Sequence, residues 1–404
     1  MRCAMWQRAA ESFWPDGDAN LAGTRVVHIS TVHPPFDVRI FHKECVSLAQ
    51  AGFDVHLIAR AARGETVSGV AIHPIPARRN RIARAVFGSW SALRIAYSLR
   101  AALYHIHDPE LLPVALILKL TGKTVVYDSH ENFRSHILIK NWISPRLRPM
   151  IARAAGAIED FVARRIDGIV ATSGPIARPF PPEKTVQVRN FPRQSQVLAL
   201  QQDKAKPSSR RVAYIGLITQ ARCARELVEA MTLIPEELDV RLSLAGRMEP
   251  SELLEELRRM PGWSRVDYAG EIPYREINAL LNGAAAGIAV CAPRVNYMNA
   301  LSTKVFDYMA AAIPVISSDF PGWREVVEAY DCTVFVDGTK PGQIADAIVK
   351  LAEDPQGSSA MGGRGQRAVI EHLNWENEFA TLLKFYERFD VVPDERTGGT
   401  PDRQ

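Results

Sequence analysis

Short apolar runs rich in β-branched residues alternate with helical patterns along most of the 404 residues, and the alternation occurs twice. In the first half the strand candidates are Arg25–Ser30, Val55–Ala59, Ala71–Ile75, Leu103–His107, Thr124–Asp128, Gly168–Thr172 and Val186–Arg189. In the second half they are Arg211–Ile215, Val240–Ala245, Val266–Ala269, Gly287–Cys291, Pro314–Ser318 and Thr333–Asp337. Nearly continuous apolar strands between helices demand a parallel sheet covered on both faces. The fold class expected is therefore α/β, with two doubly wound, Rossmann-like domains facing a central cleft. The polar stretch Pro192–Arg210 reads as the connection. The expected divisions are an N-terminal extension at 1–22, a first domain at 23–195, a linker at 196–209 and a second domain at 210–372. A C-terminal helix at 373–390, packing back on the first domain, and a disordered tail at 391–404 complete them.

Several function classes are disfavoured. The formal charge of +4 is mild, and no zinc-finger spacing or aromatic RNA-binding signature occurs, so nucleic acid is not expected as a partner. Five scattered cysteines without a CxxC give neither a disulfide framework nor a zinc site, and a reducing cytoplasm fits them. No apolar run approaches the roughly 20 residues of a membrane span. Residues 1–20 lack the apolar core of a signal peptide. The loop after the first strand reads Thr31-Val-His33-Pro34-Pro35-Phe36-Asp37. Two prolines offer no N–H to a pyrophosphate, which counts against a nicotinamide site there, and no Walker lysine motif occurs.

Ligands of such sheets bind beyond the carboxyl ends of the strands, so residues just after strands carry most weight. In Asn299–Asp319, Ser302 or Thr303 is expected to cap a helix that carries Lys304 in its first turn and Asp307 one turn on. Gly216 ends a strand and permits close backbone approach, and Arg222 follows it. Together with Lys304 they make a two-sided cationic cradle for a diphosphate. In the first half, Asp37 is expected to cap a helix whose Arg39 and Lys43 share one face, either as solvated charges or as a substrate-binding lip. Asp108 before Pro109 is expected to open the next helix, with His107 a satisfied core histidine. Tyr127-Asp128-Ser129-His130-Glu131 gathers two carboxylates, a hydroxyl and an imidazole at a strand end, where the histidine can orient a sugar hydroxyl or face a developing charge. No nucleophile elbow and no metal-ligand spacing accompany it. Basic residues interleaved with apolar ones (Arg78, Arg79, Arg81, Arg84, Arg94 and Arg100 with Phe87 and Trp90; Lys140, Arg146, Arg148 and Arg153 with Trp142 and Met150) read either as a solvated face or as a peripheral contact with anionic membrane.

Taken together, these residues resemble the family-4 glycosyltransferases of the GT-B fold over about Arg25 to Phe389, closest to bacterial polysaccharide-type members. The resemblance rests on His33-Pro-Pro-Phe-Asp37-Val-Arg39-Ile-Phe-His-Lys43-Glu44, His107-Asp-Pro-Glu-Leu111, Tyr127-Asp-Ser-His-Glu131, Lys304-Val-Phe-Asp307-Tyr-Met, Pro314-Val-Ile-Ser-Ser-Asp319 and Trp323-Arg-Glu325. It implies transfer of a sugar from a nucleoside diphosphate with retention of configuration, no cofactor and no essential metal. The second domain would hold the nucleotide sugar and the first a glycan or lipid-linked acceptor, as in cell-surface polysaccharide synthesis. His130, Arg222 and Lys304 would be catalytic; Gly216, Asn299, Ser302, Thr303 and Asp307 would hold the donor. His33, Asp37, Arg39, Asp108 and Glu131 would meet the acceptor. Asn299 and Asp307 match the two acids of the family's Glu-x7-Glu motif without being Glu. Leu217 lies near a usual arginine, and Ala312 stands where glycine is usual. Two other readings compete: a nucleotide-sugar epimerase of similar fold, and a non-catalytic nucleotide-sugar-binding homologue.

Overall fold

A computed structural model describes residues 23–77, 80, 83–140, 143–202 and 208–393. The expected N-terminal extension, most of the C-terminal tail, Arg78, Arg79, Arg81 and Trp142 lie outside the described residues. The chain divides into two compact units. The first runs to Val188 and takes up the chain again from Phe379; the second is Arg189–Glu378.

The first unit is an eight-stranded sheet of β1 (Arg25–Ile29), β2 (Asp54–Ala59), β3 (Glu65–Val67), β4 (Val70–Pro74), β5 (Leu103–Ile106), β6 (Thr124–Ser129), β7 (Gly168–Ala171) and β8 (Thr185–Gln187). Their order is β3-β4-β2-β1-β5-β6-β7-β8, and every pairing is parallel except the β3–β4 hairpin. The sequence reading has no β3, a three-residue edge strand too short to carry a period. One sheet face is apolar: Val27, Ile29, Tyr104, Ile106, Val125 and Tyr127 are buried in one cluster. The opposite face is mixed: Val26, Leu103 and Val126 are apolar, but polar side chains stand beside them. His28 pairs with His105 across β1 and β5, and His107 and Asp128 follow, all buried. Phe385 and Phe389 cover Gly168 of β7, where an added Cβ would lie 2.5 Å from the Phe385 ring.

The second unit is an all-parallel, six-stranded sheet of β9 (Ser208–Ile215), β10 (Arg241–Ala245), β11 (Val266–Gly270), β12 (Ala284–Ala289), β13 (Val315–Ser318) and β14 (Thr333–Val336), in the order β11-β10-β9-β12-β13-β14. β12 begins three residues before the sequence reading starts it. Its alanines resemble helix in composition, but smallness serves packing here: a Cβ on Gly287 would lie 2.2 Å from the Tyr308 ring. Tyr308, on the helix Thr303–Ala310, accepts from the Ile215 N–H at 3.1 Å and donates to the Ile288 carbonyl at 3.1 Å. That helix is thereby fixed against the ends of β9 and β12.

The expected linker also differs. Gln194–Gln202 is a helix within the second unit, anchored by the fully buried Val197 in a cluster with Phe191 and Phe306. Val197, Leu198, Ala199 and Leu200 form one run between glutamines, which leaves no helical period to read. The expected C-terminal helix is Trp375–Glu387. Its first turn belongs to the second unit and the rest, from Phe379, to the first.

Ala312 has φ 58°. A Cβ is strained in that left-handed region, while glycine is not. Ala312→Gly is therefore expected to stabilise the second unit by about 1 kcal/mol. A thermal midpoint at or below the parent's would contradict this.

Candidate active site

In the second unit, β9 delivers its end to a crowded corner. Gly216 has φ 94° and lies close to the loop after β10, where a Cβ on Gly246 would meet the Gly216 oxygen at 1.9 Å. A Cβ on Gly216 itself would meet the Lys304 side chain at 3.0 Å. Lys304 lies over the Tyr214 ring, 3.9 Å from its centre, and donates to the Tyr214 hydroxyl at 2.7 Å. That hydroxyl donates to the Leu217 carbonyl at 2.9 Å, and Arg222 Nη1 donates to the same carbonyl at 3.1 Å. The structure thus brings Gly216, Arg222 and Lys304 together around Tyr214, a residue the sequence reading passes over. Neither cation makes an ion pair among the described residues. Burial, then Arg222 beside it, push the Lys304 ammonium down to about 7.

Ser302 sits at the N-cap with extended backbone, but its side chain makes no capping hydrogen bond, against expectation. Thr303 is exposed. Asp307 lines a small depression with Gln196, Ile277 and Asn278. Asn299 ends the short helix Val295–Asn299. Buried Trp323 fixes that segment by donating to the carbonyls of Tyr297 at 3.0 Å and Ala300 at 2.8 Å.

In the first unit, Asp37 caps the helix Val38–Cys45 as expected, accepting from the N–H groups of Arg39 and Ile40 at 2.9 and 3.0 Å. Arg39 corrects the sequence reading. It is buried, not solvated and not a lip, because its guanidinium is used internally. Its Nε and Nη2 donate to Asp128 at 3.0 and 3.2 Å, its Nη1 donates to the Val188 carbonyl, and its Nε lies 3.0 Å from Glu44. Lys43 is buried too. Asp108 is a second correction. It makes no helix-capping bond but accepts from the Ser30 hydroxyl at 2.9 Å and the N–H groups of Thr31 and Val32 at 2.6 and 3.0 Å. Its role is to hold the loop after β1.

His33 and His130 are both partly exposed, with ring centres 5.4 Å apart. His33 lies 3.5 Å from both Asp37 and Asp108. Burial opposes its charge, but these carboxylates outweigh it and raise its pKa. His130 faces Asp128 at 3.2 Å and His107 at 3.3 Å. Burial disfavours ionised Asp128, yet Arg39, His130 and His107 hold it well below the usual carboxylate range. Burial pushes Glu44 well above that range. Glu131 is exposed and pairs with His136 at 2.6 Å. The sequence signal for the buried network was the recurrence of His28, His105 and His107 at alternate strand positions.

Comparison with known proteins fits both units. Residues 38–190 match the glycosyl transferase 4-like domain, and residues 209–354 match the glycosyl transferases group 1 domain. The chain belongs to the family-4-type glycosyltransferases of the GT-B fold. It is 23% identical over 197 residues to a D-inositol 3-phosphate glycosyltransferase of Corynebacterium urealyticum, covering 46% of this chain and 45% of that protein. It is 31% identical over 83 residues to a GDP-mannose-dependent alpha-(1-6)-phosphatidylinositol monomannoside mannosyltransferase of Mycobacterium tuberculosis, covering 20% and 22%. The matches thus span less than half the length of these curated relatives. Among solved structures, the sucrose-phosphate synthase of Thermosynechococcus elongatus superposes with a TM-score of 0.71 at 17% identity, over 91% of this chain and 99% of that one. Anabaena HepE in complex with UDP gives 0.68 at 13% identity, over 90% and 100%.

Proposed function

We propose that this protein moves a sugar from a nucleoside-diphosphate donor to a glycan or lipid-linked acceptor, with retention of configuration and without an essential metal in the reaction. The observation that carries this reading is the corner at the end of β9. Arg222, Lys304 and the uncapped helix start at Ser302–Thr303 supply two cations and free N–H groups, with no carboxylate paired to either cation among the described residues. A diphosphate leaving group develops charge as the sugar bond breaks, and such donors stabilise it most where water is excluded. Asn299 and Asp307 would hold sugar or ribose hydroxyls. His130, backed by Asp128, would orient a substrate hydroxyl, and the departing phosphate would take the acceptor's proton. His33 and Glu131 remain available to an acceptor; Arg39 and Asp108 serve the site only by holding it together. HepE, solved with UDP, supports a nucleotide donor by analogy of fold.

A membrane-borne acceptor has its own support. The helices Ser89–Leu99, Leu112–Leu120 and Arg148–Ala163 pack side by side in the first unit. They expose Trp90, Tyr97, Leu120, Met150, Ile158 and Phe161 beside the exposed Arg94, Arg100 and Arg153. Arg84 does not join this face, because it is paired with Glu110 at 2.9 Å. No described helix is long and apolar enough to cross a membrane. A peripheral contact with anionic lipid, on the cytoplasmic side, fits such a face.

The test is to incubate the protein with UDP-, GDP- and ADP-sugars, with and without lipid-linked acceptors in anionic vesicles. One donor is expected to be consumed only when acceptor is present. Formation of an epimer from donor alone would replace this reading with an epimerase; tight donor binding without consumption would replace it with a binding protein.

A further inference from the structure

The buried polar face of the first sheet holds more ligand atoms than hydrogen bonds. His28 Nδ1 lies 2.9 Å from His107 Nε2. Glu44 Oε2 stands 3.6 Å from the first and 3.7 Å from the second. Those last two gaps are too long for hydrogen bonds. All three side chains are fully shielded from solvent, and Glu44 Oε2 has no hydrogen-bond partner among the described residues. A protein face built this way leaves a carboxylate oxygen buried and unsatisfied, which native structures avoid.

We propose that His28, Glu44 and His107 bind a divalent transition-metal ion of the zinc type inside the first unit. A point about 2.0 Å from all three atoms exists at the centre of their triangle, matching the bonds zinc makes to imidazole nitrogen and carboxylate oxygen. Reaching the ligand spacing of about 3.3 Å of a tetrahedral site takes shifts of a few tenths of an ångström: the His28–His107 gap widens and the two Glu44 gaps close. His105 completes the set: one of its ring nitrogens is grouped with the other three ligand atoms, all within 4.8 Å of one another. Its Nδ1 meets the Tyr386 hydroxyl at 2.6 Å, and its Nε2 is buried without a hydrogen-bond partner among the described residues. An outer ring is also in place. His107 Nδ1 faces Asp128 at 3.5 Å, and Glu44 Oε1 faces Arg39 at 3.0 Å, so the groups behind the ligands are oriented by charge. The ion would tie β1 and β5 to the helix Val38–Cys45. This role is structural and independent of the transfer reaction proposed above.

The experiment uses the untagged full chain, stripped with a chelator and titrated with Co²⁺ alone and then Zn²⁺. One equivalent of Co²⁺ is expected to give the visible bands of a low-symmetry site, and Zn²⁺ is expected to displace it and raise the unfolding temperature. Glu44→Gln is expected to weaken binding at least tenfold. The zinc absorption edge of the loaded parent should show imidazole and oxygen neighbours and no sulfur, a readout that needs no variant. Failure of the stripped parent to take up one equivalent at micromolar metal overturns the site. So does sulfur ligation, or binding that survives in Glu44→Gln and is lost in His130→Ala.

Discussion

Arg39→Ala is expected to destabilise the first unit by about 3–5 kcal/mol, the usual consequence of removing one partner of a buried ion pair. Arg39 is the cation shared by Asp128 and Glu44, and all three are buried. Its loss strands two carboxyl groups in a site that water does not reach and frees the Val188 carbonyl as well. The deficit should depend on pH in a defined direction. Asp128 has a folded pKa below its unfolded value, so it adds stability at neutral pH that is lost as pH falls through the carboxylate range. Without Arg39 that depression shrinks. The gap between parent and variant should therefore be widest near pH 7 and narrow toward acid. Hydrogen exchange of the β1, β5 and β6 amides, followed at two pH values, would locate the effect. A variant with parent-like protection and only a raised acceptor KM would restore the lip that the sequence alone points to.

Arg39 also shows where sequence reasoning stops. The helix Thr303–Ala310 and the strand after it were legible, because capping residues, an amphipathic turn and an apolar run follow one another within twenty residues. Gly216, Arg222 and Lys304 were legible as a set, because strand ends of a doubly wound sheet converge by rule. Arg39 and Asp128 are 89 residues apart, and nothing local distinguishes a buried guanidinium from a solvated one. The histidines of β1 and β5 are isolated polar residues within apolar strands. Only the parallel pairing of His28 with His105 makes them one surface. The helix Gln194–Gln202 was hidden for a different reason: its apolar residues, Val197 to Leu200, form one run between glutamines, and a single run has no period.

Lys304→Ala is expected to lower turnover of a nucleotide sugar about a hundredfold, the cost of losing one preorganised donor to a developing negative charge. The neighbouring groups argue that the loss is specific to charge. Lys304 makes no ion pair among the described residues, so its removal strands no carboxylate, and Tyr308 rather than Lys304 fixes the helix to β9 and β12. The folded variant should therefore unfold like the parent. Its titration gives a second, independent readout. In the free protein Lys304 loses its proton at about 7. A bound diphosphate favours the ammonium and raises that value. Donor affinity should then be constant below pH 7 and fall as pH rises above it, by about tenfold per unit until the bound-state pKa is reached, since each pKa unit is about 1.4 kcal/mol. The nucleotide sugar is the right probe, because its diphosphate has no ionisation near neutrality. Calorimetry at pH 8 in two buffers of different ionisation enthalpy should show proton uptake in the parent and none in Lys304→Ala. Equal proton uptake in both, or parent-like turnover in the variant, would remove Lys304 from the phosphate site and leave Arg222 as its remaining cation of the two.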